Sequence, residues 1–264
     1  MLKLEHIFKT FNAGTVNQKT ALNDLCLTVN PGDFITVIGG NGAGKSTMLN
    51  AICGVWTPDS GKVIIDGVDV THMPEHKRAK FLGRVFQDPM MGTAADMGIE
   101  ENLALAYRRG QSRGLKWGIT KKERELYRER LATLGLGLED RMTSKVGLLY
   151  GGQRQAVTLL MAALQEPKLL LLDEHTAALD PKTAAKVLEL SEEIVSAHKL
   201  TTLMVTHNMK DAIAHGNRLI MLHNGRVILD ISGEEKKRLT VEDLLAKFSE
   251  VSGQEFANDR ALLN

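Results

Sequence analysis

The sequence has few of the features that mark secreted, membrane-spanning or nucleic-acid-binding proteins. Its two cysteines, Cys26 and Cys53, are far apart and have apolar neighbours, which indicates core residues in a reducing compartment rather than a disulfide framework. No apolar run approaches the ~20 residues that cross a bilayer. The net charge of +1 provides no bulk attraction to nucleic acid or anionic lipid. The segment Met1–Glu5 lacks the long apolar core of a secretion signal, so we expect a cytosolic protein with no nucleic-acid partner.

The composition is that of an ordinary globular protein. The chain has 264 residues, of which 43% are hydrophobic and 25% are charged. A chain of this length can bury a sizeable core, in one large domain or in two lobes.

One stretch carries a specific chemical signal. A short apolar run, Phe34–Ile38, is followed by a glycine-dense turn and a segment that can be helical, Lys45–Cys53. The pattern G-x-x-x-x-G-K-[ST] runs from Gly39 to Ser46, and it predicts a loop whose backbone N–H groups hold phosphate at the start of a helix. Lys45 would bring a charge to the outer phosphates, and the Ser46 hydroxyl would bind Mg²⁺. A plain strand-to-helix turn is the alternative, but it does not explain why Lys and Ser stand in register.

The pattern of apolar residues changes twice along the chain. Alternating and apolar runs predict strands before Asp88, and helical spacing takes over from residue 88 to about residue 165. A continuous apolar run, Leu169–Leu172, then predicts a buried parallel strand. We therefore predict an α/β lobe with a helical lobe inserted into it. Near the end, Thr240 and Asp243 form a capping box for a last helix, and we expect residues 249–264 to be loosely ordered.

Two further patterns carry chemistry. Asp173 and Glu174 follow the buried leucine strand, where a P-loop fold would place an Asp toward Mg²⁺ and a Glu beside the attacking water. Two solvated carboxylates at a strand end are the alternative. The pair Gly151-Gly152 precedes a predicted helix and could bind an anion of a neighbouring molecule, although alone it indicates a simple turn.

From about Leu2 to Ile231 the chain resembles the nucleotide-binding subunits of ATP-binding-cassette (ABC) transporters, with the motifs in the family's order. The motifs are Walker A (Gly39–Thr47), the Q-loop (Gln87), the signature (Leu149–Gln153), Walker B (Leu169–Asp173) with the catalytic Glu174, the D-loop (Ala177–Asp180) and the switch histidine (His207). The resemblance implies a P-loop NTPase fold of the ABC type: a RecA-like α/β lobe, an antiparallel β subdomain and an inserted helical lobe at about residues 88–165. It implies an ATPase domain over residues 1–231 and a C-terminal helix and tail over 232–264.

The resemblance also assigns roles to single residues. Glu174, His207 and Lys45 are expected to be catalytic, and Ser46, Gln87 and Asp173 to hold Mg²⁺. Without it, Gln87 could be an ordinary exposed amide and His207 a structural histidine. The residues expected to contact ATP are Phe11, which would stack on adenine, and Gly39, Gly40, Asn41, Gly42, Ala43, Gly44, Lys45, Ser46, Thr47, Gln87, Tyr150, Gly151, Gly152, Gln153 and Asp180.

The chain departs from the family pattern at two positions. Tyr150 stands where the signature normally has Ser, and its hydroxyl lies several ångströms further out on a rigid ring. We therefore expect weaker ATP-driven closure or hydrolysis. His175 replaces the Pro that often follows the glutamate, and we interpret it as neutral. A basic segment, residues 108–120 with Trp117, is either a solvated loop or a contact with a membrane partner.

The implied function is an ATPase subunit of a transporter. Two copies, or a paired cassette, would sandwich ATP head to tail at the cytoplasmic face of the membrane. Separate permease subunits would supply the membrane span, and an extracellular solute-binding protein is expected for a small-solute importer, of an amino acid or another nutrient. A soluble ABC ATPase in assembly or regulation, and a cassette that gates with little turnover, are the alternatives.

Overall fold

The computed structural model describes residues 1–111 and 118–252, and the chain divides into two compact units. The terminal unit contains Met1–Arg78 together with the chain from Leu200 onward, and the central unit contains Ala79–Lys199. Residues 112–117, which include Trp117 and part of the basic segment, lie outside the described residues. Residues 253–264 also lie outside them.

The described residues form ten β-strands and nine α-helices. The strands are β1 (Leu2–Phe11), β2 (Lys19–Val29), β3 (Phe34–Ile38), β4 (Ser60–Ile65), β5 (Val68–Asp69), β6 (Leu82–Val85), β7 (Leu169–Asp173), β8 (Thr201–Val205), β9 (Arg218–His223) and β10 (Arg226–Ser232). The α-helices are α1 (Lys45–Cys53), α2 (Glu75–Arg78), α3 (Ile99–Tyr107), α4 (Lys121–Ala132), α5 (Gly151–Ala163), α6 (Pro181–His198), α7 (Met209–Ala214), α8 (Gly233–Arg238) and α9 (Val241–Ser252).

The terminal unit contains an antiparallel sheet and a group of mainly parallel strands. The antiparallel sheet has the order β2-β1-β4-β5. In the other group, β3 pairs in parallel with β8 on one side and with β9 on the other, and β10 closes the edge antiparallel to β9. All five residues of β3 are buried, as expected for a central parallel strand covered on both faces. The chain that enters the glycine loop is therefore held from both sides.

The central unit combines a parallel strand pair with a group of helices. β6 and β7 run parallel, with Val85 opposite Leu172, so both strands end at the same edge. Every residue of β7 is buried, which confirms the strand that the leucine run predicts. Among the helices, Arg124 of α4 holds the Glu100 carboxylate of α3 with two hydrogen bonds of 2.7 and 2.9 Å.

The C-terminal prediction was partly wrong. The Thr240–Asp243 capping box is present, with Thr240 Oγ1 accepting from the Asp243 N–H at 3.1 Å. However, α9 continues through Ser249 to Ser252, where the sequence suggested loose order. The reason is tertiary packing, because Leu244 and Phe248 of this helix are buried in a cluster with Met221. The rest of the expected tail, residues 253–264, lies outside the described residues.

Candidate functional site

The glycine loop between β3 and α1 has a backbone that only glycine accommodates. Gly42 and Gly44 have φ angles of 79° and 105°. A Cβ on Gly44 would lie 2.7 Å from the carbonyl oxygen of Ala21, and a Cβ on Gly39 would overlap the carbonyl oxygen of Leu222. Gly39 and Gly44 therefore combine a positive φ with close approach of neighbouring main chain, and each of these two features disfavours a side chain.

Lys45 is the first residue of α1, and its charge is turned back onto the loop. Its side chain is buried, with the residue only 6% exposed, and Nζ donates to the carbonyl oxygens of Gly39 at 2.6 Å and Gly40 at 3.1 Å. No side chain caps this end of α1, and its first turn carries no acidic residue. The positive end of the helix dipole and the ammonium group are thus directed at one place, which suits an anion.

A hairpin turn supports the glycine loop through main-chain hydrogen bonds, and the sequence did not predict this contact. Asn224 and Gly225 join β9 to β10 with φ angles of 47° and 73°. The Gly225 N–H donates to the Ala43 carbonyl at 3.0 Å, and the Gly225 carbonyl accepts from the Asn23 N–H at 3.0 Å. The Asn-Gly pair signals a tight turn, but nothing local indicates that the turn supports a loop some 180 residues earlier in the chain.

An aromatic residue and a second cation lie next to each other on the antiparallel sheet. Phe11, the predicted adenine contact, ends β1 opposite Lys19 of β2. The Lys19 ammonium lies 3.1 Å from where a Cβ on Gly42 would stand, so this lysine reaches the glycine loop. Trp56 packs edge-on against Phe11, with ring centroids 5.8 Å apart. Lys19 is a site candidate that the sequence pattern missed, because a lysine at the end of a polar loop carries no motif.

His207 follows β8, the strand beside β3. Val205 stands opposite Val37 in the parallel register, and the Thr206 N–H donates to the Val37 carbonyl at 3.1 Å. The structure therefore places the partly buried His207 beyond the same end of this strand group as the glycine loop. Within the terminal unit, Lys19 therefore reaches the loop, Phe11 lies opposite Lys19, and His207 lies beyond the strand end from which the loop emerges.

The carboxylates belong to the central unit. Asp173 ends β7, and its Oδ2 accepts from Nη2 of Arg84 on β6 at 2.8 Å. Glu174, the next residue, has a φ of 48°, which is uncommon for a residue with a long side chain. Strained backbone of this kind costs about 1–3 kcal/mol and clusters at functional sites. Gln87 is exposed just beyond the end of β6, at the same strand edge as Asp173.

The glycine pair at the start of α5 has a packing role. A Cβ on Gly152 would overlap Cγ2 of Thr183 on α6, and one on Gly151 would lie 3.3 Å from Leu179. Tyr150 precedes the helix, its side chain does not cap it, and it is 80% exposed. Gln153 accepts weakly from the Tyr150 N–H at 3.4 Å. The ring therefore stands in solvent at the helix N-terminus.

The D-loop aspartate caps the next helix. Asp180 is the N-cap of α6, and its Oδ1 accepts from the Thr183 N–H at 3.1 Å. Its hydrogen bonds with Thr183 hold the pKa of the Asp180 carboxyl below the usual value, so it is ionised at neutral pH.

Two buried polar residues support this part of the central unit. Gln155 of α5 is 1% exposed and donates from Nε2 to the Phe86 carbonyl at 3.3 Å, next to Gln87. His175 is buried directly after Glu174, with Nε2 3.0 Å from Oγ of Ser191. His175, which we interpret from the sequence as a neutral variation, therefore links the strained backbone at Glu174 to α6. Neither contact has a sequence signal, because each partner is distant in the chain.

The residues present fit a nucleotide triphosphate and Mg²⁺. The loop backbone depends on Gly44, where a Cβ would clash with the Ala21 carbonyl oxygen, and the uncapped start of α1 offers N–H donors with no competing acid. The hydroxyl oxygen of Ser46, the second residue of α1, is a ligand type that Mg²⁺ prefers.

A family model described as "ABC transporter" matches residues 22–177, more than half of the chain. This chain belongs to the ABC transporter family. It is 45% identical over 248 residues to the "Tyrosine transport ATP-binding protein" of Clostridioides difficile, a match covering 94% of this chain and 98% of that one. It is 36% identical over 232 residues to the "Methionine import ATP-binding protein MetN" of Corynebacterium diphtheriae, covering 86% of this chain and 64% of that protein.

Solved cassettes have the same fold. A dimeric, post-hydrolysis structure of the ATP-binding cassette MJ0796 bound to ADP and Pi matches with a TM-score of 0.75 at 30% identity, covering 88% of this chain and 98% of that one. The predicted fold class is confirmed, and the chain is an ABC-type ATPase whose ligands are ATP and Mg²⁺. Within the described ranges, no helix is both long and apolar enough to cross a membrane.

Proposed function

We propose that this ABC cassette powers the import of an amino acid, through permease subunits that it contacts from the cytoplasmic face and with an extracellular solute-binding protein. The observation that carries the proposal is the 45% identity to a tyrosine transport ATP-binding protein along almost the whole of both chains. Relatives named for import of methionine and of spermidine or putrescine support the same direction of transport.

The proposed chemistry assigns a task to each part of the site. The backbone N–H groups of Gly39–Thr47 and the Lys45 ammonium bind the phosphates, and Phe11 stacks on the adenine, next to Lys19. Mg²⁺, when bound, neutralises charge on the phosphates, and Ser46, Gln87 and Asp173 would hold it.

The hydrolytic step depends on two side chains. Glu174 orients the attacking water and accepts its proton, and His207 contacts the γ-phosphate. The water oxygen bonds to the γ-phosphorus as the bond to the departing ADP oxygen breaks, so the proposed reaction uses positioning and charge rather than a covalent intermediate.

The assembly we propose is a head-to-tail dimer in which residues 149–153 of one copy complete the nucleotide site of the other. The exposed start of α5, with its two glycines, supports this role, because its N–H groups carry no side-chain cap. Tyr150 places a bulky ring there in the position of the family's serine, and we propose that it slows closure and hydrolysis.

The dimer is tested with Glu174→Gln, which should bind Mg·ATP without turnover and therefore accumulate as a dimer in size-exclusion chromatography. Lys45→Met in the same background should remain monomeric and lose binding of a fluorescent ATP analogue. Lys62→Met, at an exposed position on β4, is the matched control and should behave as the parent. A monomer at saturating Mg·ATP in the Glu174→Gln protein would refute the sandwich.

The transport proposal is tested by co-purification and uptake. The chain should co-purify with a membrane permease, and vesicles containing both should accumulate tyrosine in an ATP-dependent way when the solute-binding protein is supplied, with Glu174→Gln as the inactive control. ATP-dependent accumulation of spermidine, rather than of an amino acid, would refute the proposed class of solute. Recovery of the chain only in a soluble complex would favour the assembly-factor alternative.

A further inference from the structure

Three side chains with metal-binding atoms, none of them assigned to the nucleotide, converge on the antiparallel sheet. His6 lies on β1, and Asp24 and Cys26 lie on β2. Their ligand atoms all lie within 4.8 Å of one another. The His6 Nδ1 atom is 2.8 Å from Asp24 Oδ1 and 3.6 Å from Cys26 Sγ. One nitrogen, one oxygen and one sulfur therefore face a common point.

Two strand irregularities create this convergence. Leu4 pairs with Leu27 and Ile7 with Leu25, so two residues of β1, one of them His6, oppose the single residue Cys26. A second register shift follows at Asp24 on the other strand. His6 and Asp24 have φ angles of 50° and 59°, so each irregularity contains a left-handed residue. Bulges of this kind redirect side chains from their regular alternation.

The sheet makes room for this arrangement at some cost. A left-handed conformation costs about 1–3 kcal/mol at a residue with a Cβ, and two such residues lie side by side here. On the neighbouring strand β4, a Cβ on Gly61 would lie 2.5 Å from the Glu5 carbonyl oxygen, so the displaced main chain of β1 requires a glycine there.

We propose that His6, Asp24 and Cys26 bind a borderline divalent cation of the Zn²⁺ class. The donor set of imidazole, carboxylate and thiolate is typical of Zn²⁺. Bonds of about 2.0–2.1 Å to nitrogen and 2.3 Å to sulfur in a tetrahedral site place those two atoms roughly 3.5 Å apart. The separation of 3.6 Å between His6 Nδ1 and Cys26 Sγ agrees with that geometry.

The charges of the three side chains and their exposure to solvent also suit a divalent cation. A thiolate and a carboxylate together balance the charge of a divalent cation, and the thiol proton is released to solvent on binding. The His6 side chain is 75% exposed, so a cation can enter and a water molecule can occupy the fourth position. The site would join β1 to β2 where their ladder is interrupted.

The test uses the full-length chain without a tag, reduced, and without Mg²⁺ or nucleotide. Titration with Co²⁺ should produce a thiolate-to-cobalt charge-transfer band that saturates at one equivalent, and Zn²⁺ should displace it. Cys26→Ser should abolish the band, and Asp24→Asn should weaken Co²⁺ binding by about tenfold or more. His76→Gln, an exposed histidine on α2, is the control and should leave the titration unchanged.

A second measurement needs no variant that could fail to fold. Zn²⁺ should slow alkylation of Cys26 in the wild-type chain, with each modified cysteine identified by mass spectrometry. The buried Cys53 serves as the internal reference. Equal alkylation of Cys26 with and without Zn²⁺, or a cobalt band that survives in Cys26→Ser, would overturn the proposal.

Discussion

Arg78 offers a sharp test of how the glycine-loop helix is held in place. It ends α2, is 1% exposed, and directs its guanidinium at main-chain carbonyls. Nη1 donates to the Ala51 carbonyl at 2.7 Å and to the Ile52 carbonyl at 2.9 Å, in the last turn of α1. Nε and Nη2 donate to the carbonyls of Met73 at 2.7 Å and Thr71 at 3.0 Å. A cation therefore caps the negative end of the helix whose positive end begins at Lys45.

These hydrogen bonds give the expected loss in the free energy of unfolding when Arg78 is replaced. Four hydrogen bonds from a charged donor contribute about 1.5–3 kcal/mol each, or roughly 6–12 kcal/mol together. Burial lowers the pKa of Arg78, which means that desolvating the charge offsets several of these kcal/mol. For Arg78→Met, which removes every donor and retains most of the volume, we expect a net loss of about 3–5 kcal/mol. Whole-protein stability is about 5–15 kcal/mol, so the loss is large.

Urea denaturation and thermal melting measure this effect. Each kcal/mol lowers Tm by about 2–4 °C in a domain of this size, so a decrease on the order of 10 °C is expected. Lys77→Met, on the same helix but exposed, is the matched control and should change stability by less than about 0.5 kcal/mol. A loss below about 1 kcal/mol for Arg78→Met would refute the capping argument.

Three further predictions concern the site and the helical region. Gly225→Ala should weaken ATP binding by about tenfold and lower stability by about 1–3 kcal/mol, because its Cβ would lie 2.7 Å from the Ala21 carbonyl oxygen at a left-handed φ. Calorimetry checks this, and Asn224→Gly should be tolerated. Tyr150→Ser should raise the ATPase rate and add a helix cap of about 1 kcal/mol, and equal rates would contradict our proposal. Burial raises the pKa of Tyr127 to about 12, so the fold should lose stability as pH rises from about 10 to about 12. Among the described residues, no group forms a hydrogen bond with the Tyr127 hydroxyl. Tyr127→Phe should therefore remove this loss of stability at alkaline pH, as measured by urea denaturation, without destabilising the protein at pH 7.

Much of the fold was predictable because its signals are local. The leucine run at β7 and the capping box at Thr240 are each confirmed. The start of α6 is also marked locally, because Pro181 is its first residue and Asp180 is its N-cap. Strand ends have weaker local signals, and β1 and β2 extend to Phe11 and Lys19 because main-chain pairing continues there.

The sequence by itself determined the glycine loop, its lysine and the order of the motifs, because these depend on residue types at fixed short spacing. Tertiary structure alone decided that Gly225 braces the loop, that Lys19 reaches it, and that His6 and Cys26 meet across two bulges. The physical reason is that such contacts join residues distant in the chain, through main-chain hydrogen bonds and strand register. These depend on how whole elements pack and leave no periodicity in the sequence.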